Sequence, residues 1–222
     1  MAAYELDHIM YISDAPIDVM SAVDRAGLHR TAAAPQLNTG ASHSVVFFDN
    51  AYLELAWESE GEAAFSDAPR QHFQERAGWR ETGWCPFAIS FRPVEDPSTN
   101  EPPIPSWGYP APFLPAGAIP IPFGENSDEP NEPLLITSWV SGRPDQYRNL
   151  PKLQTRLGLG ELVGLLLTVP SLAVSPELKT ICDILPVALV QGSAPFLELI
   201  FDGPVPNGRV TLGPEVPIAF VG

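Results

Sequence analysis

Basic residues are scarce in this chain of 222 residues: 12 lysines and arginines stand against 27 acids, a formal net charge of −15. Such a field repels phosphate backbones and anionic lipid surfaces, so no nucleic acid and no membrane is expected among its partners. Charge of either sign totals only 18% while hydrophobic residues reach 45%, which excludes charge-driven disorder and predicts a sizeable buried core. Cysteine is limited to Cys85 and Cys182, far apart and without CxxC spacing, which excludes a zinc ribbon and a disulfide framework and leaves two free thiols. No apolar run reaches the roughly 18 residues of a spanning helix. The longest, Leu159 to Val169, is broken by Gly160, Glu161 and Gly164. The opening MAAYELDHIMYIS carries acids and a histidine in its first apolar run, unlike the basic and then apolar regions of a signal peptide, so a cytoplasmic protein is expected. A glycine-rich phosphate loop, a GxSxG elbow and an HExxH helix are all missing, and Gly158-Leu159-Gly160 is too short for a dinucleotide fingerprint.

What is present reads as alternating strands and helices. Leu6 to Ser13 places Leu6, His8, Met10 and Ile12 on one face of a strand and Asp7, Ile9 and Tyr11 on the other. Asp14 and Pro16 then open a helix in which Ile17, Met20 and Val23 fall at helical spacing, and Gly27 stops it. After a weak stretch to Gly40, Ser44 to Phe48, the turn pair Asp49-Asn50 and Tyr52 to Trp57 predict a hairpin. The order through Glu58 is therefore β-α-β-β-β. Phe65 to Trp79 reads as a connecting surface helix, and Trp84 to Phe91 and Leu134 to Val140 read as strands.

Between Pro93 and Pro133 a dense proline series excludes regular helix or a central strand. Trp107, Tyr109, Phe113, Leu114, Ile119 and Phe123 are interleaved with the prolines, which a flexible linker would not carry. An ordered insertion with short extended pieces, laid across a sheet or over its mouth, is expected.

The chain then starts its first pattern again, with Leu162 to Val169 as strand, a helix opened by Ser175-Pro176, and Phe196 to Phe201 as strand. Tyr52-Leu53-Glu54-Leu55-Ala56-Trp57 and Phe196-Leu197-Glu198-Leu199-Ile200-Phe201 share the order aromatic, Leu, Glu, Leu, aliphatic, aromatic. Glutamate suits the middle of an apolar strand poorly, since a buried carboxylate without a partner neutralises or destabilises the fold. Strand parity places Tyr52, Glu54 and Ala56 on one face and the leucines on the other, so Glu54 and Glu198 are expected opposite the core.

LDHIMYISDAPID followed by YLELAWE resembles the opening module of glyoxalase-like domains, which belong to the vicinal oxygen chelate superfamily. The resemblance is clearest over residues 4–60, moderate over 83–91 and 162–213, and absent through the proline region. It implies an α+β fold of repeated βαβββ modules forming a curled mixed sheet. The boundaries expected are a first module at 1–62, a connecting helix at 63–82, a degenerate middle segment with the proline-rich loop at 83–155, and a second module at 156–222. In that superfamily the metal is held on the first and last strands of each module, which nominates His8, Glu54 and Glu198 as ligands of iron, manganese or zinc. The repeat offers only Val163 or Gly164 opposite His8, and the middle strand Phe87, so a fourth ligand is missing.

The resemblance implies a metal-dependent lyase, isomerase or dioxygenase acting on a small oxygen-bearing molecule, with Glu198 or Glu54 as base. Family members lacking the full ligand set include metal-free binding proteins, so a sequestering protein is the alternative, and a module kept only for association, as in a homodimer, is a third reading. His43 is a replacement ligand or substrate contact, Asn38 a polar pocket lip, and Trp107, Tyr109 and Phe113 an aromatic wall. Each has a plainer role: a core histidine, a carboxylate paired with Arg30, Arg92 or Arg209, or aromatics sealing a sheet. Arg143, Arg148 and Arg156 are candidates to pair with a substrate carboxylate, or are simply solvated.

Overall fold

The computed structural model describes residues 4–59, 69–94, 101–139, 142–147, 154 and 157–222. The first half comprises β1 (Tyr4–Ile12), α1 (Pro16–Arg25), β2 (Ala34–Gln36), β3 (Ala41–Phe47) and β4 (Tyr52–Glu58). Two short helices, α2 (Phe73–Ala77) and α3 (Trp79–Thr82), lead into β5 (Phe87–Pro93), β6 (Ser106–Tyr109), β7 (Ile121–Gly124) and β8 (Leu134–Thr137). The remainder is β9 (Leu162–Val169), α4 (Pro176–Ile184), β10 (Val187–Gln191), β11 (Phe196–Phe201), β12 (Arg209–Thr211) and β13 (Ile218–Val221).

The strands form an eight-stranded sheet in the order β2-β3-β4-β1-β5-β8-β7-β6 and a five-stranded sheet in the order β10-β9-β11-β13-β12. In the larger sheet β1 runs parallel to β4 and β5 parallel to β8, while β1 and β5 meet antiparallel. Strands β1 to β4 and β5 to β8 are thus two copies of one pairing pattern related across the β1/β5 seam. This is the repeated-module α+β architecture that the resemblance implies, but the second copy is not where the sequence places it. Residues 83–155, expected as a degenerate middle segment, contribute β5 to β8, and the prolines sit on β7, on either side of the edge strand β6 and in their connection. Of the expected connecting helix, Phe65 and Ala68 lie outside the described residues.

Residues 156–222, expected as the second module, contribute the separate small sheet. Its pairings, β9 parallel to β10, β9 antiparallel to β11 and β11 parallel to β13, follow the same order as β4-β1-β5-β8. By that register β11 corresponds to β5 and not to β4. The sequence repeat of β4 in β11 is therefore a likeness of two strands at different places in the pattern.

Local chemistry explains the helix ends. Pro16 starts α1 without needing a hydrogen-bond partner for its nitrogen, and Gly27, at φ 77°, ends it in the left-handed region. The buried stripe is Val19, Ala22 and Val23, one step round from the expected one, and Ile17 is exposed. Ser175 caps α4 by accepting the Leu178 N–H at 3.1 Å, while its own hydroxyl and N–H both donate to the Glu132 carboxylate at 2.6 Å. That carboxylate lies in the β7–β8 connection, so the cap also staples the small sheet's helix to the large sheet.

The two sheets share one core. Ile9 and Tyr11 of β1, Leu53 and Leu55 of β4, and Leu165, Leu167, Leu197 and Leu199 of the small sheet are buried together. Phe48, just after β3, meets Phe201 edge-on at 4.8 Å and Phe220 at 6.0 Å. The polar link is Asn50, whose side chain donates to the Leu162 carbonyl at 2.9 Å and accepts the Leu162 N–H at 2.8 Å.

Behind Asn50 lies Arg92, whose guanidinium donates to Asp7 at 2.7 Å, Glu5 at 2.8 Å and the Asn50 carbonyl at 2.7 Å. Removing one partner of a buried ion pair leaves the other charge uncompensated. Arg92→Leu is expected to lower unfolding free energy by about 3–5 kcal/mol in urea titrations; a loss under about 1 kcal/mol would show that the pair is not buried as described.

Candidate functional site

The large sheet turns its second face to a cavity of about 640 Å³. Residues of both arms, His43 and Val45 of β3 and Ile121 and Phe123 of β7, line it together with the central strands, so the sheet is curled around it. Parity in β4 follows the sequence expectation: Leu53 and Leu55 enter the core, while Tyr52 and Glu54 face the cavity. In β1 the expected alternation holds only in part, because the β1/β5 register slips between Leu6 and His8, making Asp7 the extra residue of a bulge. Leu6 therefore joins Ile9 and Tyr11 in the core, while His8, Met10 and Ile12 line the cavity.

The bulge brings Asp7 between two partners. Its Oδ1 accepts from Arg92 at 2.7 Å and its Oδ2 meets His8 Nδ1 at 2.6 Å. Burial pushes the Asp7 carboxyl up, but hydrogen bonds and charge from His8 and Arg92 outweigh it and hold it below the usual carboxylate range. An ionised carboxylate only accepts, so Nδ1 of His8 carries a proton and, in the neutral ring, Nε2 presents its lone pair. Nε2 lies 3.9 Å from Oε2 of Glu54. Tyr52 stacks on the imidazole at 4.5 Å and 12°, fixing its plane.

Glu54 is buried, and its Oε1 meets Nδ1 of His43 at 2.7 Å. That hydrogen bond, with the carboxylate's charge, raises the His43 pKa above the ordinary imidazole value against the opposing effect of burial. The cavity floor thus holds two imidazole-carboxylate pairs, Asp7–His8 and Glu54–His43, set side by side across the parallel β1/β4 pairing.

Other expected contacts divide. Tyr109 and Phe113 line the cavity, and so do Leu114 and Ile119 from the proline-rich connection, which lies over it as an ordered cover. Trp107 lies outside the lining, with its indole N–H donating to Ser127 at 2.8 Å. Asn38 is an exposed turn residue at φ 60°, and Gln36 lines the cavity in its stead. Arg143 is paired with Glu161, and Arg148 and Arg156 lie outside the described residues.

Glu198 does not reach the cavity. It sits on β11 in the small sheet and is paired with Arg209. By register, Glu198 faces Leu166 as Ala88 faces Met10, so its counterpart is Ala88; the counterpart of Glu54 is Ala188, and that of His8 is Gly164. The small sheet repeats the scaffold and omits its polar centre.

The metal expected from the resemblance finds an incomplete set of donors. Positions on the first and last strands of the two real modules hold His8 on β1, Glu54 on β4, Ser90 paired with His8 on β5, and Ser138 just past β8 at the place matching Glu54. Two are serine hydroxyls, which are not among the usual ligands of zinc or iron. Among the described residues no three His, Cys, Asp or Glu side chains converge for a metal. His8, Glu54 and Glu198 are not a ligand set, and these residues do not fit the expected ion. Sequence reasoning missed Ser90, though the alternation Ala88, Ser90 along β5 carried the signal, and it missed Asp7, because a bulge leaves no mark in a hydrophobic pattern.

No family model matches the chain, and no curated protein matches it. Among solved structures it overlaps a Streptomyces coelicolor methylmalonyl-CoA epimerase in complex with 2-nitronate-propionyl-CoA at 13% identity, over 63% of this chain and 100% of that one, with a TM-score of 0.37. A hypothetical protein from Staphylococcus aureus overlaps at 11% identity over 98% of both chains, with a TM-score of 0.44. A methylmalonyl-CoA epimerase in complex with methylmalonyl-CoA and NH4+ overlaps at 13% identity over 65% of this chain and 100% of that one, at 0.38. Strand order and register, not these overlaps, define the architecture described above.

A raised folded-state pKa stabilises the fold below the unfolded imidazole value of about 6.5, and that contribution is lost as pH rises through the folded value. The melting-temperature gap between wild type and His43→Gln is expected to be widest near pH 6 and to close towards alkaline pH. A gap that widens with pH would contradict the Glu54–His43 pairing.

Proposed function

We propose that the chain is a glyoxalase-like protein of the vicinal oxygen chelate group whose large sheet binds a small oxygen-bearing molecule and moves a proton on it. The supporting observation is the Glu54 carboxylate set between two imidazoles on the floor of a cavity whose walls are otherwise largely apolar. Glu54 is the base for a proton on a carbon next to a carbonyl. The carboxylate raises the His43 pKa, and the hydrogen bond between the two side chains holds Glu54 in place. His8, held by Asp7 with Nε2 towards the cavity, offers a second site for the proton 3.9 Å from Glu54: the proton that Glu54 removes passes to Nε2 and is returned from there, so both groups end as they began. That arrangement suits an isomerase or lyase. No step is routed through a metal, since the donors do not fit one.

The apolar wall favours a second reading, a protein that sequesters its ligand without changing it. Solvent-deuterium incorporation into a panel of α-hydroxyketones and aryl ketones, followed by proton NMR, separates the two. Wild type is expected to exchange at least one substrate, Glu54→Gln about 10²-fold more slowly or worse, and chelator to have no effect. Equal rates in wild type and Glu54→Gln would overturn the catalytic reading. Ligands that raise the melting temperature without exchange would leave sequestration.

A further inference from the structure

Three polar atoms on cavity-lining residues are not used by the two imidazole-carboxylate pairs. Ser90 Oγ, Gln71 Nε2 and Trp139 Nε1 are buried, belong to cavity-lining residues and have no hydrogen-bond partner among the described residues. Ser90 is fully buried and Gln71 is 3% exposed. A buried donor without a partner costs the full desolvation of that group, so such atoms in a ligand site mark where a ligand's own atoms belong.

Their chemistry constrains those atoms. An amide –NH2 and an indole N–H only donate, and a serine hydroxyl donates or accepts. The cavity's carboxylate already accepts from His43 at Oε1, and Oε2 is left for the proton it takes up. The ligand must therefore bring acceptors. Ser90 pairs across β1/β5 with His8, so an oxygen bound there lies beside the imidazole and next to Glu54.

Charge constrains them further. Among the described residues no lysine or arginine lines the cavity. The nearby buried arginines are spent: Arg76 donates to the carbonyls of Gln71, Cys85, Ser127 and Glu132 at 2.7 to 3.2 Å, and Arg92 to Asp7, Glu5 and Asn50. An anionic ligand would lose its hydration and face Glu54, and the one cation it could meet in the lining, a protonated His43, is already paired with that carboxylate. The rest of the lining is hydrocarbon, with Phe47, Phe73, Phe113 and Phe123 around Met10 and Ile136.

We infer that the ligand is an uncharged, largely hydrocarbon carbonyl compound whose oxygen accepts hydrogen bonds from Ser90 and Gln71. This rests on the cavity being the ligand site proposed above and does not depend on proton transfer.

Equilibrium titration of the full chain with 2-acetylnaphthalene, 2-ethylnaphthalene and 2-naphthoate tests it. The ketone is expected to bind about tenfold more tightly than the hydrocarbon, roughly the worth of one net hydrogen bond, and the carboxylate most weakly. Ser90→Ala and Gln71→Leu should bring the ketone towards the hydrocarbon's affinity while leaving the free protein's melting temperature unchanged or higher, because each removes an unsatisfied polar group. A carboxylate that binds most tightly, a ketone no better than the hydrocarbon, or a ketone preference intact in both variants would overturn the inference. So would a fall in melting temperature in both variants, which would show that the two groups hold the fold together instead. If Glu54→Gln exchanges deuterium like wild type while the ketone preference holds, only the catalytic reading falls. If no naphthalene probe binds, the ligand class falls and deuterium exchange still reports on Glu54.

Discussion

The buried contact between Arg92 and Asp7 is the constraint on which both the fold and the site depend. Their side chains are 2% and 5% exposed, and the N–O distance is 2.7 Å. Taking two charges out of water is costly, and the cost is offset only when the remaining hydrogen-bonding capacity is also used. Here it is: the guanidinium also binds Glu5 and the Asn50 carbonyl, and the carboxylate also binds His8. The pair can form only because the bulge at Asp7 lets one strand place Leu6 in the core and His8 in the cavity. The same residue that breaks the alternation supplies the charge that the arginine needs.

From that point the structure extends in two directions. Towards the small sheet, Arg92 holds the Asn50 carbonyl while the Asn50 amide holds Leu162 at the start of β9, so the second sheet docks on the residues that orient His8. Towards the cavity, Asp7 fixes the imidazole, Tyr52 stacks on it, and Glu54 stands opposite. The small sheet, built to the same order of pairings, carries Gly164, Ala188 and Ile200 where the large one carries His8, Glu54 and Ser90. One scaffold is used once to surround a cavity with a polar floor and once for packing.

Much of this was legible in the residues. Period-two alternation in Tyr52 to Trp57 fixes which side of β4 is core, and Gly27, Pro16 and Ser175-Pro176 mark helix ends because their backbone chemistry leaves few alternatives. His8 and Glu54 stood out as polar groups on otherwise apolar strands. What was not legible depends on pairing between distant strands. The likeness of the Glu54 and Glu198 segments is real as strand chemistry, but register assigns Glu198 to the place of Ala88, and an arginine on the neighbouring stretch takes its charge. The proline-rich stretch hid β6 and β7, since a strand near the edge of a sheet tolerates Pro122 where a central one would not. The pairing of His43 with Glu54 needs β3 and β4 in register, His43 opposite Ala56 and two residues from Val45, which stands opposite Glu54.

The central claim, that an ionised Asp7 sets the His8 ring so that Nε2 faces the cavity, is tested most directly by long-range nitrogen-proton NMR of the His8 imidazole. The account predicts that the neutral ring is the Nδ1–H tautomer, with Nε2 showing the shift of an unprotonated nitrogen. A neutral ring protonated at Nε2 would contradict it.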